Sequence, residues 1–154
     1  MLISKKWLQS YFVDDLPSAR TIADTLLLHS FEIEGLEEVG TDWVIDIDVL
    51  PNRAHDCLSH DGIARELSGL LNLPLRTVRY SEHQLTHSDK KVSVELLNKE
   101  QCTRYMASYV SNIEVRPSPE WLKNRLESMA QKSINALVDA TNYVMFDIGQ
   151  PMHI

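Results

Sequence analysis

Glycine is scarce in this chain, with five in 154 residues. No Gly-rich dinucleotide turn, Walker loop or G-x-S-x-G elbow can be assembled, which removes the common phosphate-cradling and nucleophile-elbow chemistries. Cysteine is scarcer still. Cys57 and Cys102 are the two present, far apart and without a secretory leader, so reduced thiols are expected rather than a disulfide framework. Basic charge is outnumbered, with 15 Lys and Arg against 22 Asp and Glu and a formal net charge of −7. A domain that grips nucleic acid unaided presents a basic face, so avid free-standing RNA binding is not expected. Lys5, Lys6, Lys123, Arg125 and Lys132 leave two readings, local phosphate contact or a solvated helix face. No apolar run approaches the roughly 18 to 20 residues that span a bilayer, and the first residues lack the charged, apolar and small-residue pattern of a leader. The expectation is a cytoplasmic chain with no membrane partner.

What is present is the profile of a globular protein, 44% hydrophobic and 24% charged. Trp7, Leu8 and Tyr11 give Lys5 to Tyr11 helical character, and Ser18 is a good N-cap for a helix reaching about His29 on an Ile22, Ala23, Leu26 and Leu27 stripe. Phe31 to Val39 reads as a strand broken by Gly35. Trp43 to Leu50 alternates Trp43, Ile45, Ile47 and Val49 against Val44, Asp46, Asp48 and Leu50, the period of a half-buried strand. Ser59 caps a helix from His60 to about Asn72. Residues 76–91 have linker composition and divide the chain into an N-terminal α+β domain over 1–75 and a second module over 92–154. In the second, Val92 to Leu96 and Tyr105 to Val110 read as strands, and Ser118-Pro119-Glu120 opens a helix bearing Trp121, Leu122, Leu126 and Met129.

Two places carry candidate chemistry. His55, Asp56, Cys57 and His60 include zinc-ligand types, but no second ligand pair stands at finger spacing, so a metal is not expected. The structural reading of that stretch is a corner in which Asn52 sits in the turn and Arg53 holds Asp56 by charge-assisted hydrogen bonds. The final segment is richer. Leu137, Val138, Thr141, Val144, Met145 and Ile148 recur at helical spacing, which predicts a buried stripe with Asn135, Asp139 and Asn142 elsewhere. Gly149-Gln150-Pro151 then ends the helix and turns the chain, a geometry able to bring Gln150 and His153 back beside Thr141 and Asn142 as a pocket wall.

Four blocks in order carry a resemblance that runs from Ile3-Ser4-Lys5-Lys6-Trp7-Leu8 to the last residue. They include Pro51-Asn52-Arg53-Ala54-His55-Asp56-Cys57-Leu58-Ser59 with Gly62-Ile63-Ala64-Arg65-Glu66-Leu67, then Pro117-Ser118-Pro119-Glu120-Trp121-Leu122, and Ile134 to Val144 closing on Gly149-Gln150-Pro151-Met152-His153. The chain resembles the β subunit of bacterial phenylalanyl-tRNA synthetase. The resemblance implies an α+β fold with 92–154 as the first part of a tRNA-binding and editing module. It implies assembly with the catalytic α subunit into a heterotetramer, tRNA(Phe) as a partner of the whole enzyme, and ATP and Mg2+ as cofactors of that enzyme, none bound by this chain.

In the family, the β subunit hydrolyses tyrosine mis-attached to tRNA(Phe). Such a second sieve is sensible, because an apolar pocket rejects an added hydroxyl by only about 10²-fold. By resemblance, Thr141, Asn142, Gln150 and His153 match positions of that pocket, and His153, with an unperturbed pKa of roughly 6.5, suits orienting water or a tRNA hydroxyl. Three departures matter. The family motif continues past Ile154 into an Ala-Phe-Asp run, so the remaining pocket, including an acidic residue for the tyrosine hydroxyl, is not in this chain, and no catalysis by the chain alone is expected. The oligonucleotide-binding barrel usual between Gly40 and Thr41 is absent. Lys132 stands where an Arg is common, which keeps charge for a tRNA contact but loses the bidentate fork. A non-enzymatic interaction module and a free-standing deacylase of mischarged tRNA are the alternatives.

Overall fold

The computed structural model describes residues 1–77 and 92–154. They fall into two compact units, one of residues 1–77 with 115–154 and one to which the described residues 92–114 belong. The α+β class holds. In chain order the elements are β1 (Leu2–Ser4), α1 (Lys5–Gln9), α2 (Ala19–His29), β2 (Glu32–Val39), β3 (Asp42–Asp48), α3 (Ala54–Cys57), α4 (His60–Leu71), α5 (Glu120–Ser128) and α6 (Ala136–Ile148).

Local chemistry sets most of these limits. The Ser18 hydroxyl accepts from the Thr21 amide at 3.1 Å and the Ser59 hydroxyl from the Gly62 amide at 3.1 Å, satisfying N–H groups that the first turn of a helix leaves open. Asn72 ends α4 in the left-handed region at φ 53°, donating its amide to Ser68. Pro119 is the N-cap of α5 rather than its first helical residue.

The sheet is antiparallel in the order β1-β3-β2. Ile3 faces Ile45 and Leu36 faces Ile45 from the other side, while Val39 faces Asp42 across a two-residue turn. Gly40, at φ 62°, supplies the positive φ that such a hairpin needs at its first central position. Gly35 does not break β2; it sits at a register shift opposite Asp46. Ile3, Leu8, Phe12, Ile22, Leu26, Ile45, Ile47, Ile63 and Leu67 form the shared core between the sheet and helices α1, α2 and α4. Asp42 ties the hairpin to α1: its carboxylate receives the Ser4 hydroxyl, the Lys6 amide at 3.0 Å and the Trp43 amide at 2.7 Å. An anion at a helix N-terminus is favourably placed. Beyond α4 the chain returns alongside residues 11–13, with an Arg76 amide bond to Tyr11 at 2.7 Å.

In the second unit the strands expected over 92–96 and 105–110 are not formed. Val92, Val94, Tyr105, Met106 and Val110 are exposed, and a strand whose amides and carbonyls find no neighbouring strand has nothing to hold it extended in a sheet. Asn98 caps a local turn there through the Glu100 and Gln101 amides at 3.1 Å.

Candidate functional site

Helices α5 and α6 are joined by a loop that a buried carboxylate organises. Asp139 has 0% of its surface exposed. Its carboxylate accepts the Ser118 and Ser133 hydroxyls and the Ile134 amide at 2.9 Å. Burial alone would push the Asp139 acid up, but the hydrogen bonds from Ser118, Ser133, Ile134 and Asn135 together outweigh it and hold the group below the ordinary carboxylate value. Asn135 caps α6 through the Leu137 and Val138 amides at 3.0 and 3.1 Å. Gly149, at φ 76°, closes the helix, and a β-carbon there would stand 3.3 Å from Ser59 Cβ and 3.5 Å from the Leu58 carbonyl oxygen.

The other anchored side chains of α6 are polar or aromatic as well. Asp147 accepts the Trp7 indole N–H at 2.8 Å and the Tyr11 hydroxyl, which also reaches the Asp147 carbonyl at 3.1 Å. Tyr143 stacks on Trp7 with centroids 4.7 Å apart, and Trp7 stacks on His60 at 4.0 Å. Arg125 of α5 donates to the Tyr143 hydroxyl at 2.8 Å and lies 5.4 to 5.8 Å from the ring centres of Trp7, Tyr143 and Trp121. His60 is 1% exposed. Its Nε2 takes the Ser4 amide at 3.2 Å, which makes Nδ1 the protonated nitrogen and the donor to the Phe146 carbonyl at 2.9 Å. Burial, reinforced by the nearby Arg125 charge, lowers the His60 pKa to about 4. Tyr11 is pushed above its usual range by burial and then by Asp147.

The sequence expectation for α6 holds only in part, since Asp139 is the fully buried residue of the helix and the apolar stripe is half-buried. At 100° per residue, Asp139, Tyr143 and Asp147 share the anchored side while Thr141 and Met145 lie across the helix from Tyr143. The stripe expected to be buried is only partly covered, and Ile148 is 49% exposed. Polar groups face inward because Trp7, Tyr11, His60, Ser118 and Ser133 meet them there, so each is satisfied.

The structure places the remaining sequence-picked residues as follows. Thr141 is half-buried and its hydroxyl donates to the Val138 carbonyl at 2.7 Å, while Asn142 is half-buried beside it. Gln150 and His153 are exposed beyond the helix, with the Gln150 amide on the Pro151 carbonyl at 3.1 Å. Among the described residues no hydrogen bond joins these four to one another. Lys132 is exposed in the α5–α6 loop. At the corner, Asn52 is an exposed turn residue, and Arg53 bonds Asp56 through Nε at 3.0 Å and Glu66 through Nη2 at 2.9 Å, with Phe31 under its guanidinium at 5.3 Å. The Arg53 hydrogen bonds hold both carboxyls below the ordinary range. The Cys57 thiol, pushed up to about 11 by burial, receives Arg53 Nη2 at 3.0 Å. Both His60 ring nitrogens are occupied by hydrogen bonds, to the Ser4 amide and the Phe146 carbonyl. A cavity of about 360 Å³ lies between this corner and the end of α6, lined by His55, Asp56, Ser59, Asp61, Ile148 and Gly149 among others.

Sequence reasoning missed the seam of Trp7, Tyr11, His60, Arg125, Tyr143 and Asp147. Its one sequence signal is the i, i+4 spacing of Asp139, Tyr143 and Asp147 on a helix.

Comparison with known proteins identifies the family. The B3/4 domain family matches residues 101–154. The phenylalanine–tRNA ligase beta subunit of Rhodopirellula baltica is 41% identical over 155 residues, covering 99% of this chain and 22% of its own length. That of Bdellovibrio bacteriovorus is 45% identical over 114 residues, covering 73% and 14%, and that of Thermotoga maritima is 42% identical over 119 residues, covering 77% and 15%. The chain thus spans between a seventh and a little over a fifth of these relatives. An alignment of 155 positions over 99% of 154 residues leaves no room for a barrel-sized insertion between Gly40 and Thr41 in that relative. The sequence identity and the matched domain together make this chain a member of the phenylalanine–tRNA ligase beta-subunit family, corresponding to a part of that subunit.

Proposed function

We propose that the chain is the portion of the ligase β subunit that supports assembly with the catalytic α subunit and supplies part of the wall that hydrolyses mischarged tyrosyl-tRNA(Phe). The observation that carries this reading is the fixed rotation of α6. Asp139, Tyr143 and Asp147 hold one side of the helix, which leaves Thr141 on the opposite, partly open side where further residues of the subunit can complete a recess. A hydroxyl and an amide on such a surface suit discrimination of a phenol from a bare phenyl ring. Residues 92–154 are the first part of the tRNA-binding and editing domain, 1–75 the N-terminal domain, and 76–91 the link between them. Gln150 and His153 complete the wall, Lys132 meets tRNA, and Asn52, Arg53 and Asp56 are structural. ATP and magnesium serve the whole cytoplasmic ligase on the α subunit. Among the described residues no cluster of three His, Cys, Asp or Glu is placed to hold a metal.

The test is deacylation of tyrosyl-tRNA(Phe) by the intact ligase. Asn142→Ala and His153→Ala are expected to slow it by at least about tenfold while phenylalanylation is kept, and the isolated chain is expected to show negligible turnover. Unchanged deacylation in both variants would overturn the editing role, and brisk turnover by the isolated chain would favour the free-standing deacylase.

A further inference from the structure

The inner face of the sheet outruns its helical cover at the hairpin end. Leu36 and Trp43 continue the row that Ile45 and Ile47 begin, yet above them stand only Lys5 of α1 and Ser18, Ala19 and Arg20 at the start of α2. These six residues line a hollow of about 440 Å³, within the range of small-molecule sites. A smaller recess shares Lys5 and Trp43 with it. Trp43 is 38% exposed, an unusual position for a large ring on the core side of a strand.

The charge of the hollow opposes that of the chain. Its lining contains two cations and no carboxylate, in a protein of net charge −7. Lys5 forms no ion pair among the described residues, and Arg20 has only an exposed neighbour, Asp24, at 4.0 Å. Of the acids nearby, Asp42 is engaged by Ser4, Lys6 and Trp43, and Glu38 lies directly opposite Trp43 on the same face of the sheet but does not line the hollow. The first turn of α2 carries no acidic residue, so its positive end adds to the same field. An indole beside two cations, Lys5 without an ion-pair partner among the described residues and Arg20 held only by the exposed Asp24 at 4.0 Å, is the combination that takes a planar base and its phosphate.

We propose that this hollow binds a nucleotide, with the Trp43 indole stacking on the base and Lys5 and Arg20 holding the phosphate. The ligand is a base with its phosphate, either free or within a single RNA strand. The site stands apart from the editing reading, since none of its residues lies on α6.

The experiment is fluorescence anisotropy of a labelled oligouridylate titrated at low salt with the full chain, with adenosine monophosphate as competitor. Trp43→Ala is expected to weaken binding by about tenfold and Trp43→Phe by less than about threefold, because any aromatic face stacks. Lys5→Gln and Arg20→Gln, both surface changes that leave the core intact, should each reduce the salt slope by about 1, and Lys99→Gln should change neither. Displacement by the mononucleotide identifies a free nucleotide as sufficient; Trp43-dependent oligonucleotide binding without displacement identifies the strand. Absence of binding, or binding indifferent to Trp43→Ala and to both charge removals, would overturn the proposal.

Discussion

Acidification should weaken the fold through His60. The ring is wedged between Trp7, the Ser4 amide and the Phe146 carbonyl, a site that accepts only the neutral form protonated on Nδ1. A second proton on Nε2 would point at the Ser4 N–H and lose that bond. The folded-state pKa of about 4 lies below the ordinary value of 6.5, so the unfolded chain binds the proton first. Stability contributed by this residue is fully present above about pH 6.5 and is lost as pH falls toward 4. At 1.36 kcal/mol per unit, that interval corresponds to about 3 kcal/mol, a large share of the roughly 5–15 kcal/mol of an ordinary domain. Urea unfolding across this range, followed by tryptophan fluorescence, should show the loss in the native chain and not in His60→Gln, whose amide cannot titrate. Carboxylates common to both proteins cancel in the difference. Parallel curves within about 1 kcal/mol, or an NMR titration placing the His60 ring near its ordinary value, would refute the reasoning.

Two further outcomes test the packing. A β-carbon at Gly62 would stand 2.0 Å from the Asp56 carbonyl oxygen and 2.7 Å from the Cys57 α-carbon. Gly62→Ala must therefore push α4 off the corner and cost about 3 kcal/mol or more, whereas Gly69→Ala, on the same helix with nothing within 4 Å, should gain about 0.5–1 kcal/mol; equal effects in urea unfolding would contradict the close approach. Asp139→Ala strands the Ile134 amide and frees two serines, for a loss of about 2–4 kcal/mol. Asp139→Asn should cost about half as much, since its oxygen can keep the amide and its nitrogen can donate to hydroxyls that turn round, and faster hydrogen exchange at Ile134 is the local readout.

Much of the first unit is legible because its determinants are close in sequence. Ser18 and Ser59 cap the helices that follow them, and the alternation of Ile45 and Ile47 marks the inner face. Trp43 follows the same alternation but sits past the end of the helical cover, something period alone cannot show. The strands read in 92–96 and 105–110 failed for a related reason, since a pattern names a face but does not supply a neighbour. Thr141, Asn142, Gln150 and His153 were identified by motif, and nothing in their spacing reveals that Thr141 turns away from the anchored side. The partners that decide this, Trp7, Tyr11 and His60, lie 140, 136 and 86 residues from the groups they hold, beyond the reach of any local pattern.

The polarity of that seam has a physical consequence. An apolar helix face packs nearly as well after a small rotation, because dispersion and burial are not directional. A face of hydrogen-bonded carboxylates is not so tolerant: turning α6 by one residue would remove Asp139 from Ser118, Ser133 and Ile134 and Asp147 from Trp7 and Tyr11, leaving buried acceptors and donors unpaired at about 1–3 kcal/mol each. The seam therefore fixes the rotation of α6 more sharply than its apolar stripe could, and leaves that stripe half-buried. Residues that read as core in the sequence are half-buried, Thr141 among them. Under the proposed editing role, such angular definition would matter, because a misplacement of about 1 Å at a reacting centre can cost about 10²-fold.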